Sequence, residues 1–176
     1  RHLRAVGETG DGDGGRRVPD AAPVLPRRLN EQRPVAVSVS PQLEALCQLA
    51  LEHGFDSISD NEGPLVPFTL IEGPEGRELH RHVVGDFELE LSVEAAQQSI
   101  SGRADIATYA IAWDGYVTEP GRKTDAVLVE AGDRDCAVLL AQCYGPLERD
   151  AQGTLTRARI GEPLMLGWVE SRLGGG

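Results

Sequence analysis

Residues 107–144, ATYAIAWDGYVTEPGRKTDAVLVEAGDRDCAVLLAQCY, hold three apolar runs separated by two turn signals, and their reading decides the fold. Pro120-Gly121 fits the central positions of a type II turn, because proline presets φ and glycine accepts the positive φ that follows. The second separator is the polar segment 132–135. The run between the two, TDAVLVEA, carries the β-branched and aliphatic residues that suit a pleated, half-buried surface. The whole stretch reads as a three-stranded antiparallel meander.

Pairing across Pro120-Gly121 with Glu119 opposite Arg122 sets Tyr116 against Asp125, Trp113 against Leu128 and Ala112 against Val129. Carrying on across the second turn with Ala131 opposite Cys136 puts Leu128 beside Leu139, Val129 beside Val138 and Asp125 beside Gln142. One face then carries Trp113, Leu128 and Leu139; the other carries Ala112, Val127, Val129, Val138 and Leu140. Both are apolar near the middle, so the sheet is expected to be covered on both sides. A bulge at Asp114-Gly115 would shift the first pairing by one residue and invert the first strand.

Upstream of the meander, Ser40-Pro41 offers an N-cap followed by proline at the first helical position. Leu43, Leu46, Cys47, Ala50 and Leu51 then recur on one face, and Gly54 supplies a stop, which predicts a helix over 41–53. Residues 35–39 read as a short strand before it, and 55–64 as a polar loop after it. Strands at 68–72 and 78–84 flank the turn at Pro74-Glu75-Gly76. In 85–91, Asp86, Glu88 and Glu90 alternate with Phe87, Leu89 and Leu91, the pattern of a strand with a row of carboxylates on one face. Ser92 then serves as an N-cap for a helix over 92–101, closed by Gly102. Downstream, 154–160 reads as a strand, while 164–173 fits neither a helical nor a strand period. The sum is an α+β chain: a mainly antiparallel sheet of at least five strands with two helices. Residues 1–34, rich in Gly, Pro and Arg without hydrophobic period, read as a flexible arm; 35–173 as a single domain; 174–176 as a flexible tail.

Charge is unevenly distributed. The first 34 residues hold seven arginines against five acids; of the chain's 17 basic and 28 acidic residues this leaves 10 and 23 to the remainder, a net of −13. Such a body repels nucleic acid and anionic membrane and favours a basic protein partner. No apolar run approaches a membrane span. Cys47, Cys136 and Cys143 form no CxxC pair, which suits buried thiols in a reducing, cytoplasmic setting. The signatures GxSxG, GxxxxGK[ST], HExxH and GxGxxG are absent, and no cofactor is expected.

Three constellations are chemically suggestive. His80 and His82 stand two apart on a strand, so both imidazoles could face one metal ion. Asp114, Tyr116, Asp125 and Gln142 share a face at one end of the meander, a set suited to acid–base or metal chemistry if burial raises one carboxyl pKa. Asp86, Glu88 and Glu90 form an acidic row for a basic partner. The expected function is a small acidic binding or interaction protein rather than an enzyme; the alternative is a small hydrolase using Asp114/Asp125 or His80/His82.

Overall fold

The computed structural model describes residues 39–174. Its elements are α1 (Pro41–Ser59), β1 (Phe68–Gly73), β2 (Gly76–Arg81), α2 (Leu89–Ile100), β3 (Thr108–Glu119), β4 (Arg122–Gly132), β5 (Ala137–Arg149) and β6 (Leu155–Val169). Among the described residues the six strands make one antiparallel sheet in the order β2-β1-β3-β4-β5-β6. The fold is α+β. The arm at 1–34, most of the strand expected over 35–39, and Gly175-Gly176 lie outside the described residues; Val39 itself is not in a strand.

The first hairpin of the meander forms as its sequence dictates. Glu119 faces Arg122, Tyr116 faces Asp125, Trp113 faces Leu128 and Ala112 faces Val129, with no bulge at Asp114-Gly115. The second hairpin is corrected by two residues: Ala131 pairs with Val138 and Leu128 with Ala141. The cause is a turn set one residue further along: four residues, 133–136, link Gly132 to Ala137, in place of the expected 132–135. Asp133 accepts backbone N–H bonds from Asp135 (2.9 Å) and Cys136 (3.0 Å) through its side chain, and its own N–H reaches the Cys136 carbonyl (2.9 Å). This keeps Cys136 in the turn and starts β5 at Ala137. A slide of two leaves every side chain on its original face, because the strand period is two. One face, with Ala112, Val127, Val129 and Val138, packs against Leu43, Leu46, Ala50, Phe55 and Ile58 of α1. The opposite face, with Ile111, Trp113, Leu128 and Leu139, gathers Val93, Ala96 and Ile100 of α2.

Both helices differ from expectation at their ends. Gly54 does not stop α1, which continues to Ser59 through what sequence suggested was a loop. Phe55 and Ile58 extend the apolar stripe, and a Cβ on Gly54 would lie 2.8 Å from Val127 Cγ1. The glycine is there for close approach of helix to sheet. Residues 85–91 are no strand: Gly85 (φ 60°) and Phe87 (φ 71°) turn the chain, and α2 begins at Leu89 with Glu88 at its N-cap. Ser92 is a buried helical residue whose Oγ accepts the Val84 N–H at 3.0 Å, not a cap. Leu89, Val93, Ala96 and Ile100 meet the core at helical spacing, and tertiary burial overrides the local alternation.

β6 explains the segment whose period was unclear. It is one 15-residue edge strand whose pairing with β5 is broken by three register shifts, with Gly161 (φ 65°) and Pro163 in its middle. The first and last shifts are of one residue and change which face the following side chains take, so no single period survives along the strand.

For Gly54→Ala, the better helix former would gain about 1 kcal/mol in propensity, and the clash with Val127 would cost about 1–3 kcal/mol. The expected result in urea unfolding is a net loss of stability; a stabilised variant would show that α1 does not need this close approach.

Candidate functional site

The sheet places Asp114, Tyr116, Asp125 and Gln142 on the α1 face, as the register implied. It does not make them one cluster. Tyr116 lies under the Lys123 ammonium, 3.6 Å from the ring centroid. Gln142 is buried, and its Nε2 donates to the carbonyls of Cys143 and Gly161, both at 3.1 Å, which ties the irregular middle of β6 to β5. Asp114 takes other partners: Tyr144 Oη donates to its Oδ1 at 2.7 Å and the Leu65 N–H to its Oδ2 at 3.2 Å. Burial, followed by repulsion from Asp125, holds the Asp114 carboxyl above its ordinary value against those two hydrogen bonds. Burial, and then the Asp114 carboxylate, push the Tyr144 phenol up as well.

Sequence reasoning missed Tyr144 and Arg157. Extending the β4–β5 ladder one rung beyond Ala126–Cys143 brings Tyr144, not Gln142, level with Asp125, so the two-residue slide is what recruits the phenol. Arg157, on β6, lies 5.3 Å from the Tyr144 ring centroid and donates to the carbonyls of Ile58 (3.1 Å) and Asn61 (3.3 Å). A guanidinium there also complements the negative end of α1. The position of the second turn, one residue further along than expected, was the signal that could have found Tyr144.

His80 and His82 share the α2 face but face different partners. His80 Nε2 lies 2.9 Å from Glu78 Oε2, and His82 Nε2 lies 3.2 Å from Thr69 Oγ1. Burial and then the neighbouring His80 lower the His82 pKa, which favours the neutral imidazole. Among the described residues no group of three or more His, Cys, Asp or Glu side chains is placed to hold a metal ion.

Asp86, Glu88 and Glu90 are exposed, but as the lead into α2 rather than as a strand row. Glu94 on the helix extends them, and from His82 to Gly102 the chain has no Lys or Arg. Arg81 pairs with Phe68, whose side chain is in the α1-side core, and so projects away from this face. Two aliphatic side chains sit among the acids with unusual exposure, Val83 at 59% and Leu91 at 42%. Beyond the other end of α2, Glu75, Glu78, Arg103 and Asp105 rim a shallow cavity of about 160 Å³ floored by Ile71 and Ile106.

A second buried carboxylate lies on the α2 side. Glu130, 1% exposed, accepts from Tyr109 Oη at 3.0 Å and is gripped by both arms of the Arg172 guanidinium at 2.6 and 2.7 Å. Nothing in the linear pattern joins residues so far apart.

The raised Asp114 pKa has a signed consequence. The folded protein keeps this proton to higher pH than the unfolded chain, so the associated stability is complete below the ordinary carboxyl value of 3.8 and is lost as pH rises through the folded value. Asp114→Asn stays neutral, and its amide can accept from Leu65 and donate to Tyr144. Urea unfolding should show the native protein losing stability relative to this variant from about pH 4 upward; a pH-independent difference would mean the carboxyl is not held protonated.

Compared with known proteins, the chain matches no family model, no curated protein and no solved structure.

Proposed function

We propose that the chain is a protein-binding domain that receives a basic partner on the face carrying α2. The observation that supports this reading is the segment leading into that helix, where the exposed acids Asp86, Glu88, Glu90 and Glu94 share residues 83–94 with the exposed Val83 and Leu91 and no Lys or Arg intervenes. Lysine and arginine side chains suit such a surface twice over, since their alkyl stems cover aliphatic groups while their heads meet carboxylates. Four carboxylates outweigh the half positive charge of a helix N-terminus. The acid-rimmed cavity beyond Ile100 continues the same polarity. α1 on the opposite face also lacks Lys and Arg and carries Glu44, Glu52 and Asp56. Cys47, Cys136 and Cys143 are all buried and unbridged, which supports a reducing, cytoplasmic setting for this binding.

A hydrolase centred on Asp114 is the second reading, favoured by its raised carboxyl pKa beside Tyr144. Against it stands the engagement of both Asp114 oxygens within the protein.

The test is titration of the full chain with an amphipathic lysine–leucine peptide, followed by backbone amide NMR at low and high salt. Shifts are expected at residues 83–94, with affinity falling about tenfold in the Asp86→Lys/Glu90→Lys variant and with added salt. Binding that ignores both the charge reversals and the salt would sink the proposal.

A further inference from the structure

Glu130 is a carboxylate set in the apolar strand β4, between Val129 and Ala131, and its side chain is almost wholly removed from water. A charge in that position is tolerated only if it is paired and hydrogen-bonded. Its partner comes from the strap 170–174 that follows β6 and belongs to no helix or strand. Arg172 meets Glu130 with two parallel bonds, Nε to Oε1 at 2.6 Å and Nη2 to Oε2 at 2.7 Å, the fork geometry that only arginine presents. Around this pair the protein reads the strap's backbone: Tyr109 Oη accepts the Arg172 N–H at 3.2 Å, and the Gly102 N–H donates to the Arg172 carbonyl at 3.1 Å. Ser171 Oγ donates to the Asp133 carbonyl. The next side chain, Leu173, is buried in the α2-side core with Ile100, Ile106 and Ala137.

A buried acceptor for a guanidinium, two backbone contacts and an apolar hole for the following residue make a peptide-recognition site. We propose that Glu130, Tyr109 and Gly102 form a binding site for an arginine–leucine segment, occupied in this structure by the chain's own Arg172-Leu173. The segment taken in exchange belongs to a basic partner protein. The Arg172 side chain is still 22% exposed, so the site opens to solvent, and a body with a net charge of −13 attracts an incoming cation. The strap then acts as an internal competitor. This inference stands on the Glu130 cluster and would survive failure of the patch at the start of α2.

The probe is the N-acetylated, C-amidated peptide ESRLGG, titrated into the full chain and followed by the amide signals of Gly102 and Tyr109. A saturable shift is expected, and none from the same peptide with alanine in place of arginine. Arg172→Lys removes the fork while keeping the charge, and should bind the probe at least tenfold more tightly because its own strap competes poorly. No saturable shift in either protein, or equal binding of the alanine peptide, would overturn the proposal. Should Arg172→Lys fail to fold, the titration of the unaltered chain decides alone. A concentration-dependent dimer that the probe dissociates would overturn the assignment to a partner protein, since the incoming strap would then be that of a second copy.

Discussion

The structure depends on keeping one sheet dry on both of its faces. The middle rungs of β3, β4 and β5 are apolar on either side, so neither face can be left to water, and each helix is recruited to cover one of them. That demand accounts for the close approach at Gly54, where α1 rests on Val127, and for the early start of α2, which brings Leu89 and Val93 to the opposite core. The acids the two helices carry, Glu44, Glu52, Asp56, Glu90 and Glu94, lie on their exposed sides.

Within this slab two carboxylates are held out of bulk water, one toward each face, and each is answered by a tyrosine hydroxyl. Asp114 has Tyr144, with Arg157 stacked beyond the ring; Glu130 has Tyr109 and the Arg172 fork. The resemblance ends at the counter-charge. Arg157 spends its donors on the carbonyls at the end of α1, and burial leaves the Asp114 carboxyl pKa above its ordinary value. Glu130 has a guanidinium in contact and is the better built acceptor for a cation. The two sites therefore differ: burial raises the carboxyl pKa at Asp114, while Glu130 is held in contact with a guanidinium.

Much of the architecture was legible residue by residue. The Pro120-Gly121 turn set the β3–β4 register to the residue, and alternation along the strands assigned the faces well enough that a slide of two in β5 left them intact. The helix at Ser40-Pro41 was legible at its start, where cap chemistry is local, and not at its end, where Gly54 looked like a stop and proved to be a contact. The strand reading of 85–91 failed because seven residues can satisfy both a two-residue and a helical period, and a positive φ at Phe87 is invisible in sequence. Of the candidate site, the shared face of Asp114, Tyr116, Asp125 and Gln142 could be read from the register; their dispersal to separate partners could not.

By itself the sequence determined the fold class, the meander and its first register, the sidedness of the core and the acidic balance, because each follows from neighbours in the chain: turn chemistry, side-chain period and composition. Only the tertiary structure decided which polar groups meet. Tyr144 reaches Asp114 through a turn set one residue further along the chain than expected, and Arg172 reaches Glu130 across 42 positions, because long-range packing sets those distances and no local pattern encodes them.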